Sequence, residues 1–196
     1  MYASIQHNMD MNPSTIFTLR IELLDIEPVI FRQVLVPSSI TLPKLHQTIQ
    51  AVMSWEDQHL YAFEFDGVKF SPPGPFPELD LPGVRSTQRQ RLSQALGAAN
   101  RFLYTYDFGD DWRHLVTLQD IAATDIPMKH PICLSGANAC PPEDVGGVPG
   151  YMEFTEAMAH PAHASHADML CWHGALFDPT RFDPEAAQQQ LRKIRL

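Results

Sequence analysis

One short stretch concentrates the side chains that could do chemistry. Residues 104–116 read YTYDFGDDWRHLV and contain three aspartates, two tyrosines, a tryptophan and a histidine. Carboxylates that converge with an imidazole can bind a divalent cation such as Mg²⁺ or Mn²⁺, or act as a general acid and base. The candidate residues of this stretch are Asp107, Asp110, Asp111 and His114, with Tyr104 and Trp112 beside them.

The same stretch also fits a β-hairpin with an ordinary acidic bend. Aspartate and glycine are the residues that a tight turn requires, and Tyr104 and Tyr106 alternate as the core face of a strand does. The sequence favours this structural interpretation, in which the bend lies in water and His114 is a half-buried structural histidine.

A second candidate is the acidic segment PPEDVGG at residues 141–147. Glu143 and Asp144 lie between a rigid proline pair and a flexible glycine pair. They could cap the helix that follows or pair with an arginine, and capping is the favoured interpretation. They could also complete a cation site with the aspartates of the hairpin, which stays open.

The segment SWEDQHLY at residues 54–61 joins a helix to a strand and adds Trp55, His59 and Tyr61 to the candidate binding residues. Packing of Trp55 on the sheet is favoured over contact with a ligand. In a series of four histidines, His160, His163, His166 and His173, the last three could share one helical face and bind zinc or nickel, although solvated side chains are the favoured interpretation.

Cys133 and Cys140 are the candidate thiolate metal ligands. Zinc sites more often use spacings of two to four residues and need four ligands, so His130 or Cys171 would have to complete this one through tertiary contacts. Buried thiols are the favoured interpretation. The odd number of cysteines, three, and the lack of a signal-peptide pattern predict a reducing cytoplasm.

The elements that must position these residues follow from periodicity. Alternation predicts strands at 16–23 and 29–36, a hairpin at 60–70 with an Asp66-Gly67 turn, and a second hairpin at 101–119. Helical spacing predicts a helix from Thr41 to about Ser54 and helices at 91–97, 151–159, 163–174 and 183–194. Segments 71–83 and 132–151 are rich in proline or glycine and are predicted to be loops. The fold class is α+β, an antiparallel sheet of hairpins covered by helices, with a helical C-terminal part.

Length and composition predict a single domain over residues 16–196, preceded by a flexible leader at 1–15. Fourteen basic against 23 acidic residues give a formal charge of −9, which disfavours direct nucleic-acid binding on electrostatic grounds. No segment approaches the ~20 apolar residues of a membrane span, so no membrane partner is expected.

Three long segments resemble one known family. They are residues 27–65, 102–118 and 133–154, followed by FDPTRFD at 177–183, and they resemble the plasmid pRiA4b Orf-3-like family in that family's order. The resemblance implies an α+β domain of unestablished biochemical function, and some relatives carry a resolvase-type name as passengers of insertion elements. The family's loop often has a further cysteine after PPED, where this chain has Val145. The scattered arginines and negative charge do not fit a serine resolvase.

These observations predict a non-catalytic module that binds a protein or a small ligand, associated with mobile elements. The alternative is a metal-dependent hydrolase or nuclease that uses the cluster of Asp107, Asp110, Asp111 and His114. No cofactor is firmly implied, although a divalent cation is possible on this donor set.

Overall fold

An eight-stranded, mostly antiparallel sheet forms the frame of the chain. The computed structural model describes residues 14–74 and 83–196. Its strands are β1 (Ser14–Leu23), β2 (Phe31–Pro37), β3 (Tyr61–Phe65), β4 (Val68–Ser71), β5 (Arg85–Ser86), β6 (Arg101–Tyr106), β7 (Trp112–Thr124) and β8 (Ile132–Ala137). They lie in the order β5-β4-β3-β6-β7-β1-β2-β8, and of these pairs only β4 with β5 is parallel.

Five helices occur in the part of the chain that the structure describes. They are α1 (Leu42–Met53), α2 (Leu92–Leu96), α3 (Gly147–Ala159), α4 (His166–His173) and α5 (Pro184–Leu191). The combination of one sheet with separate helices confirms the predicted α+β class.

Helix α1 forms because its apolar residues recur at helical spacing. Leu42, Leu45, Ile49 and Val52 are all fully buried, and burial of one apolar stripe supplies most of the stability of such a helix. At the N-terminus of α5, the carboxylate of Asp183 accepts hydrogen bonds from the backbone N–H groups of Glu185 and Ala186. This cap, with proline at the first helical position, was predicted and is confirmed.

Both predicted hairpins are present. Strands β3 and β4 join through Asp66 and Gly67, which both have positive φ, as a two-residue turn requires. In the hairpin of β6 and β7, Tyr104 lies opposite His114 and Tyr106 lies opposite Trp112. Because side chains alternate along a strand, this register sends all four of these aromatic rings to the same face, where they join the core.

The structure differs from the predicted elements in the second half of the chain. Segment 132–151 was predicted to be a loop, but it contains strand β8 and the first turn of α3. Helix α4 begins at His166 rather than at residue 163, so His163 lies outside it. In the first half of the chain, strand β5 was not predicted either, and it contributes two residues that pair in parallel with β4.

Two predicted segments lie partly outside the described residues. Of the expected leader, residues 14 and 15 form the start of β1, and residues 1–13 are not described. Of the expected loop at 71–83, residues 75–82 are not described. Within the described ranges, every helix is too short or too polar to cross a bilayer.

Candidate functional site

The junction between α1 and β3 places Trp55 and His59 against the hairpin. Trp55 is buried, and its ring stacks on Tyr106 at 4.9 Å between centroids. The indole N–H of Trp55 donates a hydrogen bond of 3.0 Å to the backbone oxygen of Pro141. Trp55 therefore ties this junction to the hairpin and to the loop that carries Glu143 and Asp144.

The bend of the hairpin turns Asp107 inward. Asp107 has a φ of +53°, which ends the strand alternation after Tyr106, and its Oδ1 accepts a hydrogen bond of 2.8 Å from the N–H of Gly109. The residue is 8% exposed, whereas Phe108 is 53% exposed. The prediction that the acidic bend lies in water is therefore wrong for Asp107, and the alternation that would bury the next apolar residue, Phe108, is inverted at this point. Aspartate adopts the left-handed conformation more readily than most residues, which permits this inversion.

The loop at 138–146 docks directly on this bend. The N–H of Gly146 donates a hydrogen bond of 3.1 Å to Oδ2 of Asp110. Gly147 has a φ of +67°, and a Cβ there would lie 2.7 Å from the backbone oxygen of Asp110. Only glycine permits this approach, and the approach brings Glu143 and Asp144 beside Asp107.

Four side chains from these three segments converge on one point. His59 Nε2 lies 3.0 Å from Asp144 Oδ1, 3.6 Å from Asp107 Oδ2 and 3.9 Å from Glu143 Oε2. Nevertheless, among the described residues His59 Nε2 and Glu143 Oε2 are buried atoms without a hydrogen-bond partner. We refer to His59, Asp107, Glu143 and Asp144 as the four-residue site.

The spacing of the donor atoms of His59, Asp107 and Asp144 fits a shared cation. Metal–ligand bonds of about 2.0–2.2 Å at tetrahedral or octahedral angles place neighbouring donor atoms about 3.0–3.5 Å apart. In the described part of the chain, His59, Asp107 and Asp144 are the one group of three metal-ligating side chains whose donor atoms all lie within 4.8 Å of one another. The open side of the site is at Asp144, whose side chain is 64% exposed.

Two hydrogen bonds to Oε1 hold the side chain of Glu143 in place. Its Oε1 accepts hydrogen bonds from the backbone N–H of Glu56 at 2.7 Å and from the hydroxyl of Tyr106 at 3.0 Å. Burial and the neighbouring Glu143 carboxylate both raise the pKa of Tyr106, so its hydroxyl keeps the proton that it donates. The same hydroxyl oxygen accepts a bond from the N–H of Gln58. Tyr106 thus orients the free Oε2 of Glu143 toward His59.

The predicted cluster of Asp107, Asp110, Asp111 and His114 is not assembled in the structure. His114 is fully buried on the core face and its Nδ1–H donates to the backbone oxygen of Tyr104 at 3.2 Å. Asp110 accepts a hydrogen bond from the N–H of Gly146, and Oδ2 of Asp111 lies 3.5 Å from Nε of Arg113. Only Asp107 of the four joins the four-residue site, because the bend directs the other side chains to different partners.

The aromatic residues that were predicted to offer a partner surface are core residues instead. Trp55, Tyr61, Tyr104 and Trp112 are at most 7% exposed. Alternation along β3, β6 and β7 places the last three on the face that the helices cover, which is the physical reason for this correction. As core residues, these aromatic side chains support the site and do not form its surface.

A buried polar network on α1 was missed by the sequence analysis. His46 stacks on Tyr61 at 3.6 Å, its Nε2–H donates to Asp57 Oδ1 at 2.7 Å, and its Nδ1 accepts from the hydroxyl of Tyr104 at 2.8 Å. Gln50 donates to the same hydroxyl. The signal was present: His46 and Gln50 lie four residues apart among the apolar positions of α1, where buried polar groups need hydrogen-bond partners.

The two candidate cysteine ligands lie in apolar surroundings. Cys140 Sγ lies 3.3 Å from Met53 Sδ, and burial raises the pKa of the Cys140 thiol to about 12. Burial also raises the pKa of Cys133. Among the described residues, no group of three metal-ligating side chains contains a cysteine. The arrangement favours protonated thiols over the thiolates that zinc requires.

We expect these surroundings to separate the three thiols by reactivity. Cys171 is exposed, whereas Cys133 and Cys140 are partly buried, so DTNB should modify one thiol per chain quickly at pH 8, and the other two should react much more slowly until the chain unfolds. Absorbance at 412 nm in buffer and in guanidinium chloride measures both populations. The Cys171→Ser variant should lose the fast phase; a fast phase of two thiols in the wild type would contradict the burial of Cys133 and Cys140.

The histidine series does not form a shared face. The Nδ1 atoms of His160, His166 and His173 lie within 3.0 Å of the backbone oxygens of Glu156, Ala157 and Ala175, respectively. His163 Nδ1 accepts from the N–H of Ser165 instead. Each ring is thus engaged with its own local backbone.

Comparison with known proteins places the chain in a family. The chain is 38% identical to the uncharacterized protein y4hQ of Sinorhizobium fredii over 183 residues, which cover 92% of this chain and 90% of the relative. A crystal structure of a protein of unknown function from Methanosarcina mazei matches with a TM-score of 0.79 and 36% identity, covering 88% of this chain and 97% of the other. Residues 15–186 match the plasmid pRiA4b ORF-3-like proteins. The chain therefore belongs to the plasmid pRiA4b ORF-3-like family.

Proposed function

We propose that the chain is a cation-dependent binding module whose four-residue site holds one divalent metal ion. The observation that carries this proposal is the imidazole of His59, whose Nε2 lies 3.0–3.9 Å from three carboxylate oxygens without a hydrogen bond to any of them. A metal ion that accepts electron pairs from all four groups satisfies atoms that are otherwise unpaired.

Charge supports the same assignment. Asp107, Glu143 and Asp144 bring three carboxylates together around one imidazole, and the side chains of Asp107 and Glu143 are only 11% and 15% exposed. Like charges this close raise the free energy of the empty site, and water screens them poorly when they are buried. A divalent cation removes that repulsion.

The donor set indicates which cations fit. Carboxylate oxygens suit Mg²⁺, Ca²⁺ and Mn²⁺, whereas imidazole nitrogen suits Zn²⁺ and the later transition metals. One nitrogen with three oxygens therefore favours Mn²⁺ or Zn²⁺ over Ca²⁺ or Mg²⁺. The exposed side at Asp144 leaves room for a water molecule or a ligand on the metal.

Titration calorimetry with Mn²⁺ tests this proposal. Wild-type protein should bind one Mn²⁺ per chain, and Tyr106→Phe should weaken binding about tenfold, because loss of a group that orients a ligand lowers metal affinity about 10–100-fold. In that variant Glu143 loses one of its two Oε1 hydrogen bonds but keeps its charge.

Tyr151→Phe is the matched control, because its hydroxyl contacts the backbone oxygen of Ala139 and not Glu143. Its affinity for Mn²⁺ should equal that of the wild type. A wild-type protein that takes up no Mn²⁺ or Zn²⁺ would refute the cation site. Equal weakening in both variants would show that Tyr106 acts through general stability.

A metal-dependent hydrolase is the second candidate, and the exposure of Asp144 favours it, because a substrate could reach the metal from that side. Hydrolysis of bis(4-nitrophenyl) phosphate by the Mn²⁺-loaded protein distinguishes the two functions. The binding module should give no rate above free Mn²⁺. We place either function in the cytoplasm, because all three cysteines are free.

A further inference from the structure

A separate cavity of about 280 Å³ lies between the end of α1, the loop at 139–142 and the segment between α4 and α5. It shares no side chain with the four-residue site. Its polar lining includes two arginines and a histidine, and its apolar lining comes from several aromatic, sulfur-containing and proline side chains. The residues that matter here are Arg32, Arg181, His173, Met53, Phe177 and Phe182.

Arg32 brings a buried positive charge to this cavity. The residue is 2% exposed, and its guanidinium lies 3.9 Å from the ring centroid of Phe182. Its Nε donates to the backbone oxygen of Val52, and its Nη atoms donate to the backbone oxygens of Phe31, Ala137 and Asn138. A guanidinium has five N–H donors, so this set of four bonds leaves one donor over.

These partners are all neutral. Within the described ranges, Arg32 has no ion-pair partner, although buried charges in proteins are usually paired. Burial lowers the pKa of Arg32 from its ordinary value, which agrees with a charge that lacks a nearby counter-charge. Among the described residues, the positive charge of Arg32 thus has no negative charge that compensates it.

The other polar residues of the cavity increase the excess of positive charge. Arg181 and His173 lie on the wall, and the one carboxylate there belongs to Asp183. Its Oδ1 accepts the two N–H groups at the start of α5, so part of its charge is already directed at that helix terminus. An anion in the cavity would lie next to two arginine residues, Arg32 and Arg181.

We propose that this cavity binds a small organic oxyanion, with its charged end toward Arg32 and Arg181 and its apolar body against Met53, Phe177 and Phe182. Guanidinium groups bind carboxylate and phosphate oxygens through strong, charge-assisted hydrogen bonds. The volume accommodates a single-ring carboxylate. The cavity is independent of the metal site, so either assignment stands if the other fails.

Benzoate and benzamide test this proposal as a matched pair of probes, because they share a shape and differ in charge. Isothermal titration of the full chain at constant ionic strength should show binding of benzoate with a Kd on the order of millimolar, and benzamide should bind at least about tenfold more weakly. Inorganic phosphate in a third titration tells whether the charged group alone is sufficient.

Arg181→Gln should weaken benzoate binding about tenfold or more, because it removes one charged donor from the wall without touching the core. Arg192→Gln is the control, since Arg192 is exposed at the end of α5 and does not line the cavity; it should bind benzoate as the wild type does. Equal affinities for benzoate and benzamide, equal affinities of the Arg181→Gln variant and the wild type, or no binding up to about 20 mM would each overturn the proposal.

Discussion

Replacing Asp107 with asparagine should weaken Mn²⁺ binding at least about 100-fold, more than the loss of an orienting group does, because a charged ligand itself is removed. Asp107 supplies the most enclosed carboxylate of the four-residue site, with its Oδ2 3.6 Å from His59 Nε2. A neutral amide oxygen in its place binds a divalent cation far less strongly. Calorimetry, or electron paramagnetic resonance of free Mn²⁺, measures the change.

Asparagine rather than alanine is the informative substitution at this position. Asp107 has a φ of +53° and accepts the N–H of Gly109 through Oδ1. Asparagine tolerates the same backbone conformation and offers the same acceptor, so the bend should keep its shape. Alanine would lose both the acceptor and the conformational tolerance, and a lost cation could then be blamed on a distorted hairpin.

The melting temperature gives an independent readout. A ligand present at 100 times its Kd stabilises the folded state by about 2.7 kcal/mol, so Mn²⁺ at that concentration should raise the melting temperature of the wild type and raise that of Asp107→Asn by far less. Without metal, the variant should be at least as stable as the wild type, because one of three crowded carboxylates is gone.

Asp66→Asn is the matched control for this experiment. Asp66 is also an aspartate with positive φ at a hairpin turn, but it lies in the turn between β3 and β4 and not in the site. The Asp66→Asn substitution removes the same unit of charge from the chain as Asp107→Asn does. If Asp66→Asn weakened Mn²⁺ binding as much as Asp107→Asn does, the effect would come from net charge and the assignment of Asp107 as a ligand would be wrong.

Local sequence patterns were sufficient for most of the frame. Alternation predicted the buried sides of β1, β6 and β7, and the spacing of Leu42, Leu45 and Ile49 predicted α1. Strand β8 was missed because Ser135 and Gly136 have low strand propensity and the strand lies at the edge of the sheet. Gly136 is there because a Cβ would lie within 3 Å of Phe182 and Arg32, which is a tertiary reason that no local pattern shows.

The site was predictable in its residue types and not in its assembly. Asp107, His59, Glu143 and Asp144 were each chosen as candidates, but they come from three segments that lie 36 to 85 positions apart in the chain. Their meeting depends on the docking of Gly147 against Asp110 and on the bond from Trp55 to Pro141. Period-two alternation also predicted that Asp107 lies on the solvent-exposed face, because the pattern carries no information about a residue with left-handed backbone conformation at the end of β6.

The buried ring of His114 should make the free energy of unfolding depend strongly on pH. Burial lowers the pKa of His114 to about 4 in the folded chain, against about 6.5 in an unfolded chain. Its Nδ1–H already donates to the backbone oxygen of Tyr104, and Nε2, the atom that would take the proton, is buried without a partner among the described residues. The folded state therefore excludes the charged form.

The direction of this pH dependence follows from the number of protons that the folded and unfolded states bind. Between pH 6.5 and 4 the unfolded chain binds a proton at His114 and the folded chain does not, so stability falls as the pH falls through this range. Above pH 6.5 both states are neutral and the contribution is fully present. Since one pKa unit corresponds to about 1.36 kcal/mol, the loss from pH 7 to pH 4 attributable to this one residue should be about 3 kcal/mol.

Urea denaturation of the wild type and of His114→Asn at several pH values isolates this contribution from that of other titrating groups. The side-chain N–H of asparagine can replace Nδ1–H as the donor to Tyr104, but asparagine does not titrate. The variant should be less stable at pH 7, because the smaller side chain leaves a cavity, yet it should lose about 3 kcal/mol less than the wild type on acidification to pH 4. His160→Asn, which changes an exposed histidine, should follow the wild-type curve. Parallel curves for the wild type and His114→Asn would mean that the folded chain accommodates a protonated His114, and the core around Trp55 and Tyr104 would then have to admit water or a counter-charge at that ring.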